Sequence, residues 1–313
     1  MTDRNERARG ALWGQAIGDA LGTTFEFETA NDIAARAPSA WPDELVGDGP
    51  FRLLPGQVTD DTELALALAR SLVRRGGYDD EDAARSYVRW RGSNPFDAGM
   101  ATTLAFGGLV GVSAAGDVRA RASRTTQANG SLMRSSPLGI FGHALPREQL
   151  ATFARNDSLL SHPDPVPQAA CAVFVTTLAD AIRTGDSGPV LFERAVAFAK
   201  GSPVGDTLEA ARTALPESDG DKQGWVRIAL QHAFFHLLHA KEPAGALVQT
   251  VLAGGDTDTN AAIAGALLGA VFGVGAFPPA WRRAVGACQS PRPPEYRCND
   301  LDALADALVS LSS

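Results

Sequence analysis

Residues 60–75 (DDTELALALARSLVRR) open on two aspartates and then place Leu64, Leu68, Ala69 and Leu72 at i, i+4, i+5 and i+8. That spacing predicts an amphipathic helix with one apolar stripe turned toward a core. Stripes of the same period run through 6–21, 79–91, 147–160, 166–184, 189–200, 224–240, 257–273 and 300–311. Strand signals, meaning alternating β-branched runs between turn clusters, are sparse. The intervals 38–58, 92–98, 116–130, 161–167, 201–206, 216–223 and 285–299 read as loops. Asn129-Gly130 has hairpin composition, but its flanks do not alternate, so it reads as a loop opening a helix. No long linker, charge block or low-complexity tract divides the chain. The expectation is all-α: one compact, single-domain, multi-helix orthogonal bundle over 1–313.

Two of these helices carry glycine every fourth residue, at Gly10, Gly14, Gly18 and Gly22 and at Gly265, Gly269 and Gly273. A mid-helix glycine costs ~1 kcal/mol relative to alanine, so close backbone approach must offset it. The two helices are expected to pack centrally, on each other.

With 45% hydrophobic and 20% charged residues, a sizeable core can be buried, which excludes a disordered or fibrous chain. Lys+Arg 28 against Asp+Glu 36 gives a net charge of −8, and an acidic surface disfavours nucleic acid as a partner. Three cysteines, Cys171, Cys288 and Cys298, form no CxxC and no even-numbered framework; a reducing, cytoplasmic setting is expected. Cys171 sits in an apolar helix and reads as core. The charged N-terminus leads into no signal-peptide core. Residues 261–280 run 20 positions without a charge, which is spanning length. Their glycines, the terminal Pro278-Pro279 and two preceding aspartates favour a buried core helix over a membrane span.

Chemistry concentrates at two helix starts. Thr59-Asp60-Asp61-Thr62 follows Pro55-Gly56; alone, it reads more readily as an N-cap with acidic residues favoured by the helix dipole. Gly254-Gly255-Asp256-Thr257-Asp258-Thr259-Asn260 opens a second apolar helix. An EF-hand loop is excluded, because Ala261 and Leu267 stand where glycine and a bidentate glutamate are required. Four carboxylates and two threonine hydroxyls can converge only if something offsets their repulsion. Hard divalent cations do so, and oxygen-only donors select Mg²⁺, Mn²⁺ or Ca²⁺ over zinc. The ligand number suits two ions sharing a carboxylate, ~3.5–4 Å apart in such sites. Glu26, between Phe25 and Phe27, is a further acidic candidate whose surroundings would raise its pKa and let it handle protons. His232, His236 and His239 fall at i, i+4 and i+7, but without a cysteine or carboxylate at partner spacing they read as a packed helix face. No GxSxG, Walker A or GxGxxG motif is present.

Gly18-Asp19-Ala20-Leu21-Gly22 with Glu26, Thr59-Asp60-Asp61-Thr62, Asn129-Gly130-Ser131-Leu132-Met133-Arg134 and Gly255-Asp256-Thr257-Asp258-Thr259-Asn260 together resemble the ADP-ribosylglycohydrolase family. The motifs stand in the family's order across most of the chain. The resemblance implies a compact all-α fold with a binuclear Mg²⁺ or Mn²⁺ site at helix N-termini. It implies hydrolysis of the bond between ADP-ribose and a modified side chain. Thr59, Asp60, Asp61, Asp256, Asp258 and Thr259 would be the metal ligands, with Glu26 and Asp61 in the catalytic role. Asn129, Gly130 and Ser131 would offer backbone N–H groups at a helix N-terminus to the diphosphate. Arg134 would assist as a charge, the plainer alternative being a structural ion pair. Asp97 and Gly99 lie where family members carry a ligand-facing loop, and Asp97 is suited to a guanidinium, which favours arginine linkage. His162, in Ser161-His162-Pro163, is a candidate pocket contact. The expected partners are an ADP-ribosylated protein and ADP-ribose, with a cognate ADP-ribosyltransferase or toxin as a further candidate. A monomer without membrane or nucleic-acid partners is expected. The rival readings are a dimetal phosphohydrolase of nucleotide diphosphates and an ADP-ribose-binding immunity protein that occludes a toxin.

Overall fold

The computed structural model describes residues 3–36, 44–109 and 115–312. Among them the chain forms sixteen α-helices and no strands. In order these are α1 (Arg4–Gly22), α2 (Ala30–Arg36), α3 (Asp60–Arg75), α4 (Asp80–Gly92), α5 (Met100–Phe106), α6 (Ala115–Arg121), α7 (Ser136–Phe141) and α8 (Arg147–Ser158). There follow α9 (Pro165–Thr184), α10 (Gly188–Ala199), α11 (Gly205–Ala210), α12 (Val226–His239), α13 (Pro243–Leu252), α14 (Thr257–Phe272), α15 (Pro279–Ala287) and α16 (Leu301–Ser310).

All nine stretches with a helical stripe are helices. The interval 116–130 is not wholly loop, since α6 occupies its start, and α15 runs into the interval 285–299. These helices, like α2, α5, α7, α11 and α13, have six to ten residues, too few turns to print a 3.6-residue period. The segment 261–280 is likewise not one helix, because α14 stops at Phe272 and α15 begins at Pro279. Among the described residues only α9 is long and apolar enough to cross a bilayer, and it is buried inside the fold.

The glycine stripes meet as expected. Helices α1 and α14 run antiparallel in backbone contact: a Cβ on Gly14 would lie 2.0 Å from the Gly265 carbonyl oxygen, and one on Gly18 2.1 Å from that of Ala261. The seam ends where Gly22 meets Thr257 and Asp258. Antiparallel packing therefore brings the C-terminal end of α1, with Asp19 and the following Glu26, against the start of α14. One continuous apolar core spreads around this pair, with Trp90, Phe106, Phe174 and Phe234 fully buried in it.

Candidate active site

Helix α3 is capped from outside. Thr59 is its N-cap but makes no capping bond with its own side chain. Asp19 of α1 does that work: its carboxylate accepts the N–H groups of Thr59 (3.0 and 3.1 Å) and Thr62 (3.1 Å) and the hydroxyls of Thr59 (3.0 Å) and Thr62 (2.6 Å). Burial still pushes the Asp19 carboxyl up to about 7 against these hydrogen bonds. With the cap supplied by Asp19, Asp60 and Asp61 are left to face the cleft. Helix α14 is tied down in a similar way, Thr257 donating its hydroxyl to the Gly22 carbonyl at 2.7 Å. Phe27 and Glu28 pair with Gly255 through two backbone bonds of 2.8 Å, which hold Glu26 beside the start of α14.

A cavity of about 330 Å³ opens between these ends. Glu26, Asp60, Asp61, Asp97, Asp256 and Asp258 all line it. Carboxylate oxygens of Glu26, Asp97 and Asp258 lie within 4.8 Å of one another. Burial first, then the neighbouring carboxylates, raises Asp60, Asp61 and Asp258 well above the usual carboxylate range and Glu26 to about 10. The single Thr59 hydroxyl proton has three carboxylate oxygens around it, from Asp19 (3.0 Å), Asp61 (3.2 Å) and Asp258 (3.5 Å). Asp61 Oδ1 and Glu26 Oε2 are buried without a hydrogen-bond partner. Such oxygens need either protons or cations. The all-oxygen donor set of Thr59, Asp60, Asp61, Asp256, Asp258 and Thr259 fits hard divalent ions better than zinc.

Across the cavity stand Gly99, Asn129, Gly130 and His162. Asn129 donates its side-chain N–H to Asp256 at 2.7 Å and its backbone N–H to Gly224. His162 is buried, and its pKa is pushed down to about 3 by burial and by Arg134, so the ring is neutral. Its Nδ1 pairs with the Ser161 hydroxyl at 2.8 Å, while Nε2 has no partner. Any Cβ at Gly130 would lie 3.1 Å from the imidazole, so glycine keeps that wall open.

Two predicted contacts lie behind the wall. Ser131 is fully buried and bonded to the Ser158 hydroxyl at 2.9 Å. Arg134 is also fully buried: it donates to Asp157 (2.9 Å), Gly130 O (3.1 Å) and the Ser161 hydroxyl (2.8 Å), and stacks 4.6 Å over Tyr87. It pins the two segments that present Gly130 and His162. The Asn129–Ser131 stretch is also not a helix N-terminus, since α7 starts only at Ser136. Pro137 has no N–H to close a helical bond with Met133, so residues 129–134 form a turn and α7 begins at Ser136, with the proline in its first turn. His232 and His236 are buried on α12, the former bonded to Ser218, as a packed face. Asp19, Thr102, Gln223 and Gly224 belong to the site or its support without having been singled out. Of these, Asp19 alone was visible in the sequence, inside the Gly18–Gly22 motif, where it carried no assigned role.

Fold and site together define an all-α protein with a buried acidic cleft. A solved ADP-ribosylglycohydrolase-related protein complex superposes with a TM-score of 0.78 at 30% identity, covering 100% of both chains. The ADP-ribosyl-[dinitrogen reductase] glycohydrolase of Rhodospirillum rubrum is 31% identical over 286 residues, 88% of this chain and 89% of that protein. The ADP-ribosylarginine hydrolase Tri1 of Pseudomonas putida is 32% identical over 303 residues, 91% of this chain and 75% of that one. The model of the ADP-ribosylglycohydrolase family matches residues 1–313, and the chain belongs to that family, whose members cleave the glycosidic bond to ADP-ribose.

Proposed function

We propose that this enzyme uses divalent cations to remove ADP-ribose from arginine side chains of a modified protein, reversing mono-ADP-ribosylation. The observation that carries the reading is the meeting of six carboxylates in one cleft with buried, unpartnered oxygens among them. Thr59, Asp60, Asp61, Asp256, Asp258 and Thr259 would hold two ions, Mg²⁺ or Mn²⁺. Bound there, the ions supply positive charge for the ribose hydroxyls and lower the pKa of a nearby water. Gly130 leaves the turn's backbone open to the diphosphate, and neutral His162 offers a hydrogen-bonding nitrogen beside it. The aspartates stabilise the positive charge that develops on the anomeric carbon as its bond to the guanidinium nitrogen breaks. Water oxygen adds to that carbon, one water proton leaves through Glu26 and Asp61, and the departing guanidine nitrogen takes a proton. Asp97 pairs with the guanidinium fork in two parallel bonds, the geometry that favours arginine. The name of the Pseudomonas putida relative, an ADP-ribosylarginine hydrolase 32% identical to this chain, supports the same linkage. A monomer acting in the cytoplasm against the product of a cognate transferase or toxin completes the reading. The test is product analysis with arginine- and serine-linked ADP-ribosyl peptides. Faster release of ADP-ribose from arginine supports the reading; a serine preference overturns the linkage, and AMP as product overturns the reaction.

A further inference from the structure

The mouth of the cleft is apolar. Phe27 is 55% exposed, Phe96 37% and Met100 91%, and Phe27 and Met100 also line the cavity. Phe51 joins them into a ladder, its ring 6.5 Å from Phe27 and 5.6 Å from Phe96. Leu104, one turn beyond Met100 on the same face of α5, is 49% exposed. Three segments carry this rim, and they also carry the positive-φ non-glycine residues among the described residues: Phe27 (69°), Asp48 (69°), Arg52 (54°) and Asn94 (56°). Left-handed backbone is unfavourable for a bulky residue, so Phe27 holds its exposed position against local preference.

We propose that Phe27, Phe51, Phe96 and Met100 form a docking rim for the ADP-ribosylated acceptor protein and take an apolar side chain next to the modified residue. This rests on the reading that a modified protein is the substrate. Once the ADP-ribosyl group lies in the cavity, the body it is attached to stands at the mouth, and the side chains shared by cavity and rim meet it first. A cluster of partly exposed aromatic side chains beside an exposed methionine is the composition of a protein-binding surface. The surrounding acidic cleft attracts a basic residue, so the fitting acceptor segment carries its modified arginine beside a large apolar residue.

The test uses the metal-loaded full chain and two ADP-ribosylated peptides, alike except for leucine or glycine on either side of the modified residue, with free ADP-ribosyl-arginine as a third substrate. Each peptide is prepared with arginine and with serine linkage, so the comparison stands whichever linkage is cleaved. Wild-type turnover of free ADP-ribosyl-arginine tests the linkage reading alone. The rim predicts a KM for the leucine peptide about fivefold or more below that of the glycine peptide. Phe51→Ala and Phe96→Ala should each remove most of that difference, with kcat and turnover of free ADP-ribosyl-arginine within twofold of wild type, which also reports correct folding. Equal KM values for the two peptides in the wild type would overturn the proposal. So would a loss common to all three substrates, which would make the rings a nucleotide-stacking wall. A wild-type dimer that Phe51→Ala dissolves would assign the rim to a second copy of the chain instead.

Discussion

Replacing Gly18 by alanine sets two effects of opposite sign against each other. Alanine in mid-helix gains ~1 kcal/mol over glycine. Its Cβ would lie 2.1 Å from the Ala261 carbonyl oxygen and 2.4 Å from its carbon, whereas ordinary contact begins at 3.4 Å. Both obstacles are backbone, so no rotamer change relieves them, and the two central helices must part by about 1 Å. Overpacking of a dense core costs roughly 1–3 kcal/mol and occasionally more. Backbone against backbone belongs at or above the upper end, so a net loss of ~2–3 kcal/mol is expected after the helix-propensity gain. Parting the helices also strains the Thr257 to Gly22 bond and moves Asp258 away from Asp61, so metal affinity should fall with stability. Urea unfolding followed by circular dichroism measures the first effect and Mn²⁺ titration calorimetry the second. Gly92→Ala is the control, because nothing lies within 4 Å of its added Cβ. A Gly18→Ala protein as stable as the control would refute the close seam between α1 and α14.

Asp19→Ala should remove the external cap of α3, costing about 2 kcal/mol, and should weaken Mn²⁺ binding ten- to a hundredfold by releasing the Thr59 hydroxyl; unchanged affinity in calorimetry would mean that Asp19 supports only the helix. Burial pushes His236 down to about 4 from its ordinary 6.5, so the unfolded chain takes up a proton that the native state refuses, and stability falls as pH drops from about 6.5 toward 4. In metal-loaded protein, His236→Leu should flatten that fall by about 1 kcal/mol per pH unit, read from urea midpoints at pH 6 and 4.5; parallel curves would contradict the buried neutral ring. Asp97→Ala should lower turnover of ADP-ribosyl-arginine by one to two orders of magnitude, the scale of a charge-assisted bond worth ~1.5–3 kcal/mol, while free ADP-ribose binds almost as before. Loss of both together would mean that Asp97 shapes the cleft rather than reading the linkage.

Long helices were legible because each buries one stripe of a repeating period, and the glycine repeats announced the α1–α14 seam for the same reason. The carboxylates of the cleft were legible because two helix starts carried more of them than capping requires. What escaped was set by tertiary contact. Nothing local marks Gln223 and Gly224 as cavity wall, which follows from the bond between Gly224 and Asn129 across the fold. Ser131 and Arg134 share a motif with Gly130, yet the turn sends their side chains into the core while Gly130 faces the cavity. Phe51 and Phe96 are isolated aromatics in loops, and only their proximity to Phe27 makes a rim.

The central claim is that one carboxylate cluster, filled by divalent cations, cleaves ADP-ribose from protein. The direct measurement follows products released from an arginine-ADP-ribosylated protein by wild type, Asp60→Ala and Asp258→Ala, with Mn²⁺, with chelator, and with Mn²⁺ restored. The account predicts ADP-ribose and unmodified arginine from wild type with metal, almost none with chelator, recovery on adding Mn²⁺ back, and folded but inactive variants. Turnover that survives chelation, or near-normal turnover in either variant, would contradict it.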